Sequence, residues 1–218
     1  MEINENSTKQ KIKETALDLF SQKGFTAVSI RNISGKVGIK ESTIYYYFKN
    51  KQDIYDNLIL DFKVITSTIQ ENFDQEFSKA TQVDKPSFIL VGITFLNKYL
   101  LNEKILKLLR MLMIEQHVNS CAAALFRQVM FDDPLRQNEM VFELMITKGY
   151  FKKHDTKAMA VEYYAPIFLT FLRYFSTNDV TETSVNEANA IVTAHLSNFY
   201  EQYSIEERKG DSFESLQK

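Results

Sequence analysis

Apolar residues recur at steps of three and four along nearly the whole chain, the period of helices that bury one face. Ile12, Ala16, Leu17 and Phe20 form one such stripe. They predict a first helix over about 8–23, capped by Ser7 or Thr8 and stopped by Gly24. Ser29 is placed to cap a second helix over about 30–37, Gly38 makes a turn, and a third helix covers about 41–48. Asn50 caps a long fourth helix reaching to about 79, with Ile54, Leu58, Phe62, Ile65, Ile69 and Phe73 on one side.

Further along, 81–86 reads as a loop, with Asp84 as a cap and Pro86 in the first turn of a fifth helix that runs to about 101. A sixth helix covers about 103–117. Two more, over 120–131 and 134–147, are separated by Asp132-Asp133-Pro134, and Gly149 ends the second. Asp155 caps a helix to about 175, with a kink expected at Pro166. A polar loop over 176–183 leads to a last helix over about 184–203, and 209–218 reads as a frayed tail. No repeat and no sustained strand-like alternation interrupts this, so the expected fold is all-α.

Composition supports that reading. Six Gly and three Pro among 218 residues are too few for an all-β sandwich, and 44% apolar residues are enough for a real core. The longest apolar stretch, 88–96, is broken by Gly92 and Thr94 and is about half of the ~20 residues a membrane span needs. The N-terminus MEINENSTKQ has no apolar core segment of the signal-peptide kind. A lone Cys121 allows no internal disulfide. The expectation is a soluble cytoplasmic protein with no membrane partner.

Charge is unevenly shared. Residues 1–51 carry nine Lys/Arg against five Asp/Glu, whereas the rest carry 17 against 23. A basic head on an acidic body suits a nucleic-acid reader with a second domain. Within the head, 30–47 reads IRNISGKVGIKESTIYYY. Two short helices that cross steeply need a small residue where they touch, Ser34, and a turn residue that accepts positive φ, Gly38. Ile30, Ile33, Val37, Ile39, Ile44 and Tyr47 or Phe48 supply a shared core. This is a helix-turn-helix, which places the start of its second helix in a major groove. Ser29, Arg31, Lys40, Ser42, Thr43, Tyr45, Tyr46 and Lys51 are then the outward hydrogen-bond donors, with Lys51 beside the path of a phosphate.

The same segment resembles the TetR family of regulators. Gly24-Phe25, Ser29-Ile30-Arg31-Asn32-Ile33-Ser34, Gly38-Ile39, Ile44-Tyr45-Tyr46-Tyr47-Phe48 and Lys51 match that family's pattern in order and spacing. Three positions depart from it: Lys40 stands where Ser usually caps the third helix, Glu41 adds a negative charge, and Ser42 replaces Gly. The resemblance implies that Ser29, Arg31, Lys40, Ser42, Thr43, Tyr45, Tyr46 and Lys51 match the family's DNA contacts. It also implies a helical body that dimerises and takes a small effector. The domains would be a DNA-binding head over 1–52 and a regulatory and dimerisation body over 53–208.

For the body the sequence offers candidates. Phe62, Phe88, Phe95, Met111 and Met113, with His117, Phe126, Met130 and Tyr164, would line an effector pocket for an apolar molecule. His117 is the buried-looking polar residue among them. Aromatic excess on the last two helices suggests a homodimer: Tyr163, Phe168, Phe171 and Leu172 on one, Val192, Leu196, Phe199 and Tyr200 on the other. An enzyme has little support, since His117, His154 and His195 fit no metal-ligand pattern and no phosphate loop, dinucleotide fingerprint or other cofactor motif occurs. The expected function is a repressor that binds a near-palindromic double-stranded operator and leaves it when an effector binds. Control by a protein partner in place of a metabolite is the alternative.

Overall fold

The computed structural model describes residues 2–79, 84–176 and 180–205, with side chains omitted at 2–6, 69, 70 and 72–79. The expected burial of Ile69 and Phe73 and the expected tail over 209–218 lie outside the described residues. The fold is all-α: α1 (Glu2–Lys23), α2 (Ile30–Val37), α3 (Glu41–Tyr47), α4 (Lys51–Lys79), α5 (Lys85–Phe95), α6 (Glu103–Glu115), α7 (Ser120–Arg127), α8 (Asp133–Thr147), α9 (Thr156–Phe175) and α10 (Glu182–Tyr203). An isolated bridge pairs Phe151 with Ser204.

Local chemistry explains most helix starts. The side chains of Asp84, Asn102, Asn119 and Asp155 each accept a backbone N–H of the first turn. Asn50 does the same for α4, through the N–H of Asp53 at 2.9 Å. Thr181 and Ser184 form a capping box at α10. The first helix departs from expectation, because it begins at Glu2 and is not capped at Ser7 or Thr8.

A larger departure occurs at Asp132-Asp133-Pro134, which does not break the chain into separate helices. A π turn over Gln128–Asp132 carries the backbone from α7 straight into α8, with Asp132 and Asp133 both right-handed helical. Pro134 follows directly in the first turn of α8 and withholds one N–H from the helical ladder there. A second π turn, Leu96–Leu100, extends α5. Helix α9 continues through Pro166, whose carbonyl accepts the Thr170 hydroxyl at 2.7 Å.

The core is continuous from head to body. Ile12, Ala16, Leu17 and Phe20 of α1 are buried with Ile33, Ile44 and Phe48, and Ile54, Leu58 and Phe62 of α4 join them. Helix α1 packs on α2, α4 and α6, and α8, α9 and α10 form a second layer closed by α5. No described helix is long and apolar enough to cross a membrane.

Candidate nucleic-acid interface and effector cavity

Helices α2 and α3 are set by a few local contacts. The Ser29 hydroxyl accepts the Asn32 N–H at 3.1 Å and donates to Asn32 Oδ1 at 2.6 Å, while the Ser29 N–H donates to the same oxygen at 2.8 Å. Gly38 has φ 81°, a region that a Cβ disfavours, and its N–H and that of Ile39 both donate to the Ser34 carbonyl. Ser34 and Ile33 are buried against Ile44, and Ile30, Val37, Ile39 and Tyr47 pack half-buried around them. These positions fix α3 on α2 as the spacing implies.

The opposite side of the unit is open. Ser29, Arg31, Lys40 and Ser42 are exposed, and Thr43 is half-buried. Tyr45 and Tyr46 are 54% and 68% exposed, and the Tyr46 ring meets Tyr47 edge-on at 4.9 Å. Two adjacent exposed rings give this face flat apolar surface together with phenolic donors. Lys40 makes no side-chain cap at α3, and Glu41 is exposed in its first turn.

Two of the expected donors are engaged within the protein. The Ser29 proton is held by Asn32, as above. Lys51, expected beside a phosphate, turns inward: its Nζ donates to the carbonyls of Phe25 and Val28, each at 2.6 Å, and lies 4.1 Å from the centre of the Phe25 ring. Desolvation lowers its pKa below the ordinary lysine value, against the opposing pull of the Glu115 carboxylate. The ammonium thus ties α4 to the turn between α1 and α2.

Behind the head lies a cavity of about 540 Å³. Phe62, Leu100, Ile105, Leu109, Leu125 and Met130 give it a buried apolar wall. Lys63, Thr66, Ser67, Gln128, Arg136 and Gln137 stand around it, with Arg136 paired to Asp133 at 2.9 Å. Of the pocket candidates, Phe62, Phe95, Met130 and Tyr164 line this cavity. The others are placed elsewhere. Met111 is sealed in the core, and Met113 packs half-buried against it. Phe88 stacks with Phe199 among aromatic rings, and Phe126 meets Phe131. His117 is exposed after the end of α6, which corrects its buried reading. Periodicity marks Met and Phe as inward without telling core from cavity wall, and the polar lining residues carried no periodic signal at all.

The aromatic excess of α9 and α10 is largely taken up within the chain. Phe171, Val192, Leu196, Phe199 and Tyr200 are buried, and Tyr163, Phe168 and Leu172 pack half-buried against the core. Phe88, Phe142, Phe151, Tyr163 and Phe199 stack on one another and take up the rings. What α9 and α10 leave exposed is a lighter stripe: Val161, Ala165 and Leu169, with Ala190, Ile191 and Ala194.

A helix-turn-helix head on a helical body with its own cavity is the architecture of a regulatory protein. Residues 12–58 match the family of bacterial regulatory proteins called tetR. YttP of Bacillus subtilis, an HTH-type transcriptional regulator by its description, is 31% identical over 143 residues, 66% of this chain and 65% of that protein. IcaR of Staphylococcus epidermidis, the negative transcriptional regulator of the biofilm operon icaADBC, is 34% identical over 71 residues, 32% of this chain and 38% of its own. The chain therefore spans less than two thirds of the length of either relative. A Mesorhizobium loti structure described as a TetR-family transcriptional regulator superposes with a TM-score of 0.70 over 92% of this chain and 98% of its own, at 17% identity. Residues 12–58 thus form a domain of the TetR family. The family and these relatives are transcription regulators, not enzymes.

Proposed function

We propose that this protein is a DNA-binding transcription regulator, a repressor that holds a near-palindromic operator as a homodimer and releases it when a small apolar molecule enters the cavity. The observation that carries the reading is the pairing of a packed helix-turn-helix with two tyrosines exposed on its α3 face. Tyrosine offers a phenolic donor and a flat apolar side, which suit phosphate, sugar and thymine-methyl contacts. The sense of regulation follows the partial likeness of this chain to IcaR over 71 residues.

A single head makes few base contacts, and two heads on a two-fold axis double them. The exposed stripe of Val161, Ala165, Leu169, Ala190, Ile191 and Ala194 suits a close helix-to-helix dimer, because small residues let backbones approach. Helix α4 carries the head and lines the cavity through Phe62, Lys63, Thr66 and Ser67. An occupant of the cavity would move α4, and with it the spacing between heads.

Genomic DNA fragments captured by the full chain would yield the operator, and a salt titration would then count phosphates. Tight capture with a steep salt slope is the expected result. Capture of no fragment, or binding indifferent to salt, overturns the reading. Unchanged head spacing in the presence of a molecule that weakens operator binding would sink the helix α4 mechanism alone.

A further inference from the structure

The cavity contains a polar group that the fold does not use. Tyr164 of α9 lines it and is only 4% exposed. Its ring stacks on Phe168, yet its hydroxyl makes no hydrogen bond among the described residues. Nor is that oxygen among the unpaired atoms sealed inside protein, so it opens onto the void. A hydroxyl that the protein leaves facing a cavity is free to meet water or an occupant there. Burial holds this phenol protonated, its pKa raised by desolvation. It remains a donor at any physiological pH.

The surrounding wall restricts what could meet it. Leu100, Ile105, Leu109, Leu125 and Met130 offer no charge and no hydrogen bond through their side chains. A carboxylate or ammonium brought to this depth would lose its hydration with no counter-ion. The charged groups, Lys63 and the Arg136–Asp133 pair, belong to residues that reach solvent. A phenol is also a better donor than acceptor, because its lone pair is delocalised into the ring.

The two π turns of the described chain point to the same place. Leu96–Leu100 and its preceding residue contribute Phe95, Tyr99 and Leu100 to the cavity, and Gln128–Asp132 contributes Gln128, Val129 and Met130. A π turn is rare beside the α-helix it interrupts and is frequent at functional sites. Both here shape one wall set, which marks the cavity as built and not as a packing fault.

We propose that the cavity takes an uncharged, mainly apolar molecule with a hydrogen-bond acceptor at its buried end, and that the Tyr164 hydroxyl donates to that acceptor. This rests on the effector reading above and names the chemistry of the effector. A volume of about 540 Å³ lies within the range of drug-sized sites.

Benzophenone and diphenylmethane test the proposal, since they share size and shape and differ in one carbonyl. Binding of each to the full-length protein is measured by calorimetry, in the wild type and in Tyr164→Phe. That variant keeps the ring and removes a hydroxyl without a protein partner, so it folds. The expected result is that the wild type prefers the ketone by roughly three- to tenfold, the value of one net hydrogen bond. In Tyr164→Phe the two probes bind equally. Equal binding to the wild type, or a ketone preference that survives in Tyr164→Phe, overturns the Tyr164 assignment and leaves the apolar effector site standing. Binding of neither probe overturns both.

Discussion

The buried carboxylate of Glu115, in the last turn of α6, accepts a hydrogen bond from the backbone N–H of Phe25 at 2.7 Å. Phe25 lies in the turn between α1 and α2, ninety residues away in sequence. The approach is close: a Cβ on Gly24 would stand 2.9 Å from Ile114 and 3.1 Å from Glu115. The same helix lines the cavity with Ile105 and Leu109. From Ile105 to Glu115 the helix rises about 15 Å. Helix α6 is thus a second rigid connection between cavity and head, beside α4, and it reaches the turn that Lys51 also holds.

Glu115→Ala strands the Phe25 N–H and removes a buried acceptor. The expected loss is about 1–3 kcal/mol of unfolding free energy, with Glu115→Gln losing less because its amide oxygen still accepts. Urea denaturation checks it. Equal midpoints for Ala and wild type would show that this contact adds nothing.

Tyr55 predicts both a stability gain and a pH dependence. Its ring packs against Phe20 and Phe25, and its hydroxyl is sealed with no hydrogen-bond partner among the described residues. Tyr55→Phe should therefore stabilise the protein by about 1 kcal/mol. Burial, and next the Glu115 carboxylate, push the phenol from its ordinary value of 10 up to about 12. Its contribution is whole below the unfolded value and is lost as pH rises through the folded one. Denaturant unfolding measured at about pH 9 and about pH 11 should show a smaller alkaline loss in Tyr55→Phe than in the wild type. The variant keeps some decline, because burial and the nearby Glu162 also raise Tyr203 to about 12. An identical alkaline decline in both proteins would contradict the shift at Tyr55.

Gly92 tests the crossing of α5 and α10. A Cβ there would stand 2.5 Å from Leu196 Cδ1 and 3.1 Å from the Tyr163 hydroxyl. In an open helix Gly→Ala gains roughly 0.5–1 kcal/mol. Here Leu196 is fully buried, so a shift of its methyl must be taken up by the packed core, and Gly92→Ala should destabilise by about 1–3 kcal/mol through overpacking. A thermal midpoint at or above that of the wild type would mean that the crossing yields.

The head was legible in the sequence because its requirements are local. Ser29, Ser34 and Gly38 act within a few residues, and the apolar steps of Ile33, Ile44 and Phe48 have one arrangement that buries them all. The body was legible as helices but not as a site. Asp132-Asp133-Pro134 looks like a break, yet a π turn absorbs it, and whether a widened turn or a loop forms depends on tertiary packing. The role of Glu115 leaves no signal in the sequence, since its partner is a backbone N–H that no side-chain pattern reveals. The rings of Phe199 and Tyr200 suggested an interface because periodicity reports burial and not what provides it.

Lys51 and Arg31 separate a structural cation from one that meets nucleic acid. Each phosphate neutralised adds about 0.9 to the slope of log affinity against log salt. Arg31 is exposed on α2 and makes no ion pair among the described residues, so its guanidinium is available to a phosphate. Arg31→Ala should weaken operator binding and flatten the slope by about 0.9 per head engaged. Lys51 differs, because its ammonium already serves the carbonyls of Phe25 and Val28. Lys51→Ala should weaken binding by loosening the turn on which α2 stands, with the salt slope unchanged and the unfolding midpoint lowered. The two variants are compared by operator titrations across a salt series, with denaturation run in parallel. A slope that falls in Lys51→Ala while stability holds would return Lys51 to the set of phosphate contacts.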